Sequence, residues 1–168
     1  MGTEIERKYL IKKAEWRSHK QQLQNQFPNL GKEYCQGYIP TENGTTVRVR
    51  IIGNTGYITL KSKAIGHTRL EFEYPIPVKD AREMLATFCV KPLIEKVRYK
   101  INFGNLVWEV DEFMGENEGL IIAEVELENE QQQIDIPHWI EREVNDKKYF
   151  NSYLVKHPYS QWHSTMNN

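Results

Sequence analysis

Only two of the 168 residues are cysteine, Cys35 and Cys89, far apart and without a CxxC neighbour, so neither a disulfide framework nor a zinc site is indicated. Both thiols are expected to be reduced and buried. Apolar runs are short: none approaches the roughly 18 residues that a membrane span needs, and the N-terminus carries no apolar run flanked by basic residues. The expectation is a soluble cytoplasmic protein with no membrane partner. Neither charge sign dominates, since 22 Lys and Arg stand against 23 Asp and Glu for a formal net charge of -1. Nucleic acid is therefore not an expected partner, and any anion site must come from local arrangement. No GxxxxGK[ST] sequence is present, which excludes a P-loop at motif level. His19, His67, His138, His157 and His163 lack a metal-ligand spacing and read as surface or loop residues. With no internal repeat, low-complexity linker or composition break, the chain reads as one domain over residues 1–156 followed by a loose tail, 157–168.

What the chain has in quantity is strict alternation. In the opening GTEIERK, Glu4, Glu6 and Lys8 share one face of a strand while Ile5, Arg7 and Tyr9 share the other. Similar period-two patterns run through TTVRVRI, YITLKSK, RLEFEYPI, LIEKVRYKI, LVWEVD and IIAEVELE. Asn43-Gly44, Gly53 to Gly56, Gly104-Asn105 and Gly119 supply hairpin connections between several of them. The GxxG formed by Gly53 to Gly56 lies between two strand patterns and reads as a turn rather than a nucleic-acid clamp. Helices are fewer: Ala14 to Gln26, Asp80 to Phe88 with Ala81, Met84, Leu85 and Phe88 on one face, and Asn151 to Lys156.

Each strand pattern has one apolar and one charged face, and the charged face is nearly uniform in sign. Arg48 and Arg50 alternate with Val47, Val49 and Ile51; Glu71 and Glu73 follow Arg69; Lys96, Arg98 and Lys100 share a face; Glu109 and Asp111 oppose Trp108 and Val110; Glu124 and Glu126 oppose Ala123 and Val125. Like charges two positions apart lie about 7 Å from each other, and a surface that needs only solubility gains more from mixed signs. Strands of opposite sign facing one another, or bound ions, must compensate. An open sheet with one wet face leaves the uniform signs unexplained. An α+β fold is expected in which a closed antiparallel eight-stranded β-barrel encloses a charged lumen, with a few peripheral helices over its apolar outside. The lumen would then hold Glu4, Glu6, Glu71, Glu73, Glu109, Asp111, Glu124 and Glu126 together with Lys8, Arg48, Arg50, Lys61, Arg69, Lys96 and Arg98. Guanidinium and ammonium groups match phosphate oxygens, and clustered carboxylates match hard divalent cations such as Mg²⁺ or Mn²⁺. The pair of sets points to a metal-bound polyphosphate.

The ordered series ExExK (Glu4 to Lys8), VRVR, TLKSK, LEFEYP, EKVRYK, WEVD, AEVELE and EVNDKKYFN resembles the CYTH proteins, the triphosphate tunnel metalloenzymes, over most of the chain, and the compact length most resembles the small bacterial inorganic triphosphatases. The resemblance implies that Lys8, Arg48, Arg50, Lys61, Arg69 and Arg98 bind the triphosphate. It implies further that Lys148, in DKKY, lies near the substrate, with Lys147 one position away. Glu4, Glu6 and members of the set Glu71, Glu73, Glu109, Asp111, Glu124 and Glu126 would bind one or two Mg²⁺ or Mn²⁺ ions. Tyr38, in QGYI, and Lys96 would orient the attacking water. The implied activity is metal-assisted hydrolysis of the terminal phosphate of a small-molecule triphosphate, inorganic tripolyphosphate before others. An adenylate cyclase, a thiamine or nucleoside triphosphatase, and a non-catalytic polyphosphate or nucleotide sensor remain open, as does assembly into a homodimer. The carboxylates favour an enzyme, because beside an anion they are repulsive unless metals intervene.

Overall fold

In the computed structural model, which describes residues 2–162, a single antiparallel sheet curls until its edges meet. The elements follow in the order β1 (Gly2–Ile11), α1 (Lys13–Gln26), β2 (Lys32–Ile39), β3 (Thr46–Ile52), β4 (Thr55–Lys61), β5 (Thr68–Ile76), α2 (Val78–Thr87), β6 (Ile94–Phe103), β7 (Leu106–Phe113), β8 (Ile121–Glu126), β9 (Ile140–Val144) and α3 (Asn151–Lys156). Strand neighbours run β5-β4-β3-β2-β6-β7-β8-β1, and β5 pairs with β1 to close an eight-stranded barrel. The closing strand serves three partners. Its first half pairs with β5 (Glu4 opposite Arg69), its second half with β8 on the other side (Lys8 opposite Glu124), and its end with the ninth strand, β9.

Alternation along the strands sends charge inward and apolar side chains outward. On one flank of the barrel α1 lays Trp16, fully buried, against Tyr99 and Trp139, with Trp108 and Tyr9 completing the layer. The Trp16 indole donates to Glu112 at 3.3 Å, satisfying its one polar atom. On another flank Ala81 and Leu85 of α2 pack on Val49 and the neighbouring outward side chains of β2, β3 and β4. Contact there is close enough that a Cβ on Gly56 would meet Ala81 Cβ at 2.8 Å and the Ile76 carbonyl at 2.9 Å. The outer face of β5 is left uncovered, with Leu70 and Tyr74 exposed.

A third apolar cluster lies at one end of the lumen itself. Ile94, Phe113 and Ile122, on the inward faces of β6, β7 and β8, pack with Val144, Tyr149, Leu154 and Val155, so that α3 and the 3₁₀ turn Lys147–Tyr149 stop that end. The barrel is a cup rather than an open pipe. The part of the C-terminal tail within the described residues is docked as well: Tyr159 N–H donates to Asn117 Oδ1 at 2.9 Å and Trp162 packs on Tyr149. The remainder of that tail, with His163, lies outside the described residues.

Candidate active site in the barrel lumen

A cavity of about 220 Å³ occupies the charged part of the cup. Strand β1 contributes Glu4, Glu6 and Lys8; β2, Tyr38; β3, Thr46, Arg48 and Arg50; and β4, Lys61. From the far wall come Arg69 and Glu71 of β5, Lys96 and Arg98 of β6, Glu109 of β7, and Glu124 and Glu126 of β8. Val125 of β8, and Phe150, Asn151 and Ser152, entering with α3, complete the lining. Of the sequence-derived set, the structure brings together all but three. Asp111 faces inward but is buried beneath the cations it binds, Glu73 faces inward and stays partly exposed beside the lining with Arg48 and Arg50 on one of its oxygens, and Lys148 is not part of the lining, its Nζ 4.9 Å from the Trp162 ring centroid and 5.2 Å from that of Tyr149. The DKKY segment carries the chain around the end of the barrel, and the next residues, Phe150 to Ser152, turn inward in its place.

Cations and carboxylates interleave around the wall. Lys8 Nζ donates to Glu124 at 2.6 Å and stands 3.6 Å from Glu6; Lys61 Nζ is 2.9 Å from Glu4, which Arg69 approaches at 3.4 Å. Asp111, fully buried, accepts from Arg98 Nε at 2.7 Å and Nη2 at 2.8 Å and from Lys96 at 2.8 Å. Behind these cations the Tyr34 ring lies 5.1 Å from the Arg98 guanidinium, 5.3 Å from that of Arg50 and 5.7 Å from Lys96 Nζ, a π-face shared by three charges. At the floor, Asn151 Oδ1 accepts from Lys96 at 2.9 Å and from Gln36 at 3.3 Å, and Gln36 also donates to the Tyr38 hydroxyl at 3.0 Å.

Position decides how each group titrates. Burial, and then the charges of Glu124 and Glu4, push the Glu6 carboxyl up to about 7 against the pull of Lys8 and Lys61. Burial raises Glu124 too, but Lys8 and Arg98 overcome it and hold that carboxyl well below its usual range. Lys96 is pulled down to about 7 by burial and by Arg98, whereas in Lys8 burial is outweighed by Glu124 and Glu6 and the ammonium is reinforced. Burial raises the Tyr38 phenol.

Two consequences bear on ligands. The Nε atoms of Arg48 and Arg50 are buried without a hydrogen-bond partner among the described residues, leaving donors unsatisfied on side chains that line the cavity. The carboxylates Glu4, Glu6, Glu124 and Glu126 crowd the same wall; burial first, and then the charge of neighbouring carboxylates, raises Glu6 and Glu126, and a cation would relieve the second of these. Their all-oxygen chemistry fits a hard divalent ion. Among the described residues no three such side chains already form a metal cage.

Sequence patterns missed the neutral members of the site. Tyr34, Gln36, Thr59, Asn151 and Ser152 carry no charge to mark an inward face, although Tyr34, Gln36 and Tyr38 do alternate on one side of β2.

Residues 2–152 match the family model described as the CYTH domain. An inorganic triphosphatase of Acetivibrio thermocellus is 47% identical over 163 residues, covering 96% of this chain and 99% of that protein. A crystal structure of an inorganic triphosphatase superposes with a TM-score of 0.59 at 31% identity, over 92% of this chain and 95% of the other. A structure from Pyrococcus horikoshii OT3, 18% identical with a TM-score of 0.55 over 76% of this chain and 80% of that one, shares the fold.

Proposed function

Because the chain belongs to the CYTH family, we propose that it hydrolyses inorganic tripolyphosphate in its lumen, transferring the terminal phosphoryl group to water and releasing orthophosphate and pyrophosphate. The observation that carries this reading is the convergence, in one cup closed at its floor, of phosphate-matching cations with carboxylates that only a cation reconciles with an anionic substrate.

Lys8, Arg48, Arg50, Lys61, Arg69 and Arg98 bind the phosphate oxygens, the arginines in bidentate fashion where two donors are free. Their fixed positions stabilise charge that spreads over the transferring group in the transition state without reorganising at the moment of reaction. Glu4 and Glu6, with Glu71, Glu109, Glu124 and Glu126 around them, would hold Mg²⁺ or Mn²⁺. When bound, that ion neutralises phosphate charge and acidifies a coordinated water. Tyr38 and Lys96 lie together at the floor, joined through Gln36 and Asn151, and orient the attacking water; the Lys96 amine can take its proton at Nζ. The stop formed by α3 limits bulk water at that end.

The test is orthophosphate release by the purified protein from tripolyphosphate, ATP and thiamine triphosphate, each with Mg²⁺ or Mn²⁺, with cyclic AMP followed in the ATP reactions. Tripolyphosphate turnover that excess EDTA abolishes, and that Arg50→Ala reduces at least ~100-fold, is the expected outcome. Full turnover in EDTA would overturn the two-part design; cyclic AMP as the main product would make the protein a cyclase; tight binding without release would make it a sensor.

A further inference from the structure

Resting on the triphosphatase reading, we infer that Glu73 is a positioning residue: with Thr59 it fixes the Arg48 and Arg50 guanidiniums for the phosphates, and it does not ligate the divalent cation.

Glu73, like Asp111, is an inward carboxylate that does not line the cavity, and one of its oxygens is shared by two guanidiniums and a hydroxyl. A row across three strands places Arg48 opposite Thr59 and Thr59 opposite Glu73. One carboxylate oxygen, Oε2, accepts from the Thr59 hydroxyl at 2.7 Å, from Arg50 Nη2 at 3.2 Å and from Arg48 Nη2 at 3.4 Å. Thr59 is fully buried and also accepts from Arg48 Nη2 at 3.3 Å, so the row is braced twice. A divalent ion at that oxygen would stand against two guanidiniums already within hydrogen-bond distance, and like charge at that range is unfavourable. Glu4, Glu6, Glu124 and Glu126 instead present themselves on the cavity wall.

The two arginines need such a brace. They are inward neighbours two positions apart on β3, both buried, and Arg48 helps to depress Arg50's affinity for its proton after burial has done so. A shared counter-ion offsets that repulsion and ties down one terminal nitrogen of each, while each Nε, on a side chain of the cavity wall, has no hydrogen-bond partner among the described residues.

Glu73→Gln keeps size and an acceptor oxygen but removes the charge; Thr59→Val removes the hydroxyl that holds Glu73, and Thr59→Ser restores it. Three readouts separate the roles: KM and kcat for tripolyphosphate, the Mg²⁺ concentration giving half activation at saturating substrate, and tripolyphosphate affinity by calorimetry in EDTA. Expected are a rise in KM and a loss of EDTA affinity of about tenfold in both Glu73→Gln and Thr59→Val, recovery in Thr59→Ser, and an unmoved Mg²⁺ midpoint. A shifted Mg²⁺ midpoint with unchanged affinity in EDTA would make Glu73 a metal ligand and overturn the inference, as would wild-type behaviour in both variants. Calorimetry keeps the two readings apart: if the wild type binds tripolyphosphate without hydrolysing it, the triphosphatase reading falls, and Glu73→Gln still decides the brace. Should Glu73→Gln fail to fold, the Thr59 pair carries the same comparison.

Discussion

Lys8 and Lys96 are the same residue type on inward faces of the same barrel, yet their surroundings drive them in opposite directions, one reinforced as an ammonium and the other weakened to near neutrality. Residue identity alone could not reveal this, because it depends on burial and on the charges beside each, Arg98 at Lys96 against Glu124 and Glu6 at Lys8. The same dependence applies to Glu4. It is buried and paired with Lys61 and Arg69, so Glu4→Gln leaves those cations without their partner. A modest loss of stability, about 1–3 kcal/mol by denaturant titration, should accompany its loss of activity. Ile5, one position away, packs against the outer core; Ile5→Asp should destabilise by a few kcal/mol, roughly 3, since it sets an unpaired charge in an apolar contact. A stable Ile5→Asp would mean that the strand faces the other way. The thiols are predictable as well. Burial raises both, with Glu95 adding to it at Cys35 and Cys35 adding to it at Cys89, so at neutral pH each holds less thiolate than a free cysteine. Alkylation of Cys35 by iodoacetamide should be slower in the native than in the unfolded protein at pH 8, and its rate should keep climbing with pH past the ordinary thiol midpoint. A native rate equal to the unfolded one would show an unperturbed thiol.

Among the elements, those with strong alternation of charge against hydrocarbon were legible in the sequence, and the seven charged patterns correspond to β1 and β3 to β8. Strand β2 was not, because KEYCQGYI places tyrosine and glutamine, not charge, on its inward face. Strand β9, IEREV, is short; it extends the sheet beside β1 and adds Ile140 and Val144 to the apolar clusters. The helix over Asn151–Lys156 was legible, but not its role: that Leu154 and Val155 would stopper the lumen depends on inward Ile94, Phe113 and Ile122 from three distant strands. Helix α2 offers a direct test of how closely such elements dock. Gly56→Ala would drive a methyl into Ala81 and the Ile76 carbonyl, and a loss of about 1–3 kcal/mol is expected by denaturant titration. Wild-type stability would mean that α2 can shift freely over β4.

At the scale of the molecule the lumen is an assembly of repulsions held by partial pairing, with donors left over. Anions that complete the pairing should therefore stabilise the fold by mass action. With tripolyphosphate at about 100 times its Kd in EDTA the gain is about 2.7 kcal/mol, or a Tm higher by about 5–10 °C. Thermal melts check this, and an unmoved Tm at saturating concentration would show that the cup does not hold the anion without metal. The closing strand carries a different consequence, for how the chain reaches this state. Lys8 and its partner Glu124 are 116 positions apart in sequence, and β1 also awaits β5 and β9. During synthesis the ribosome delivers β5 before the middle of the chain but β8 and β9 only near its end, so the second half of β1 waits unpaired for most of translation. Contacts of such separation are slow to form. The last strands made complete the wall around the first, and a nascent chain that stalls before Ile121 has neither β8 nor β9 for β1 to meet.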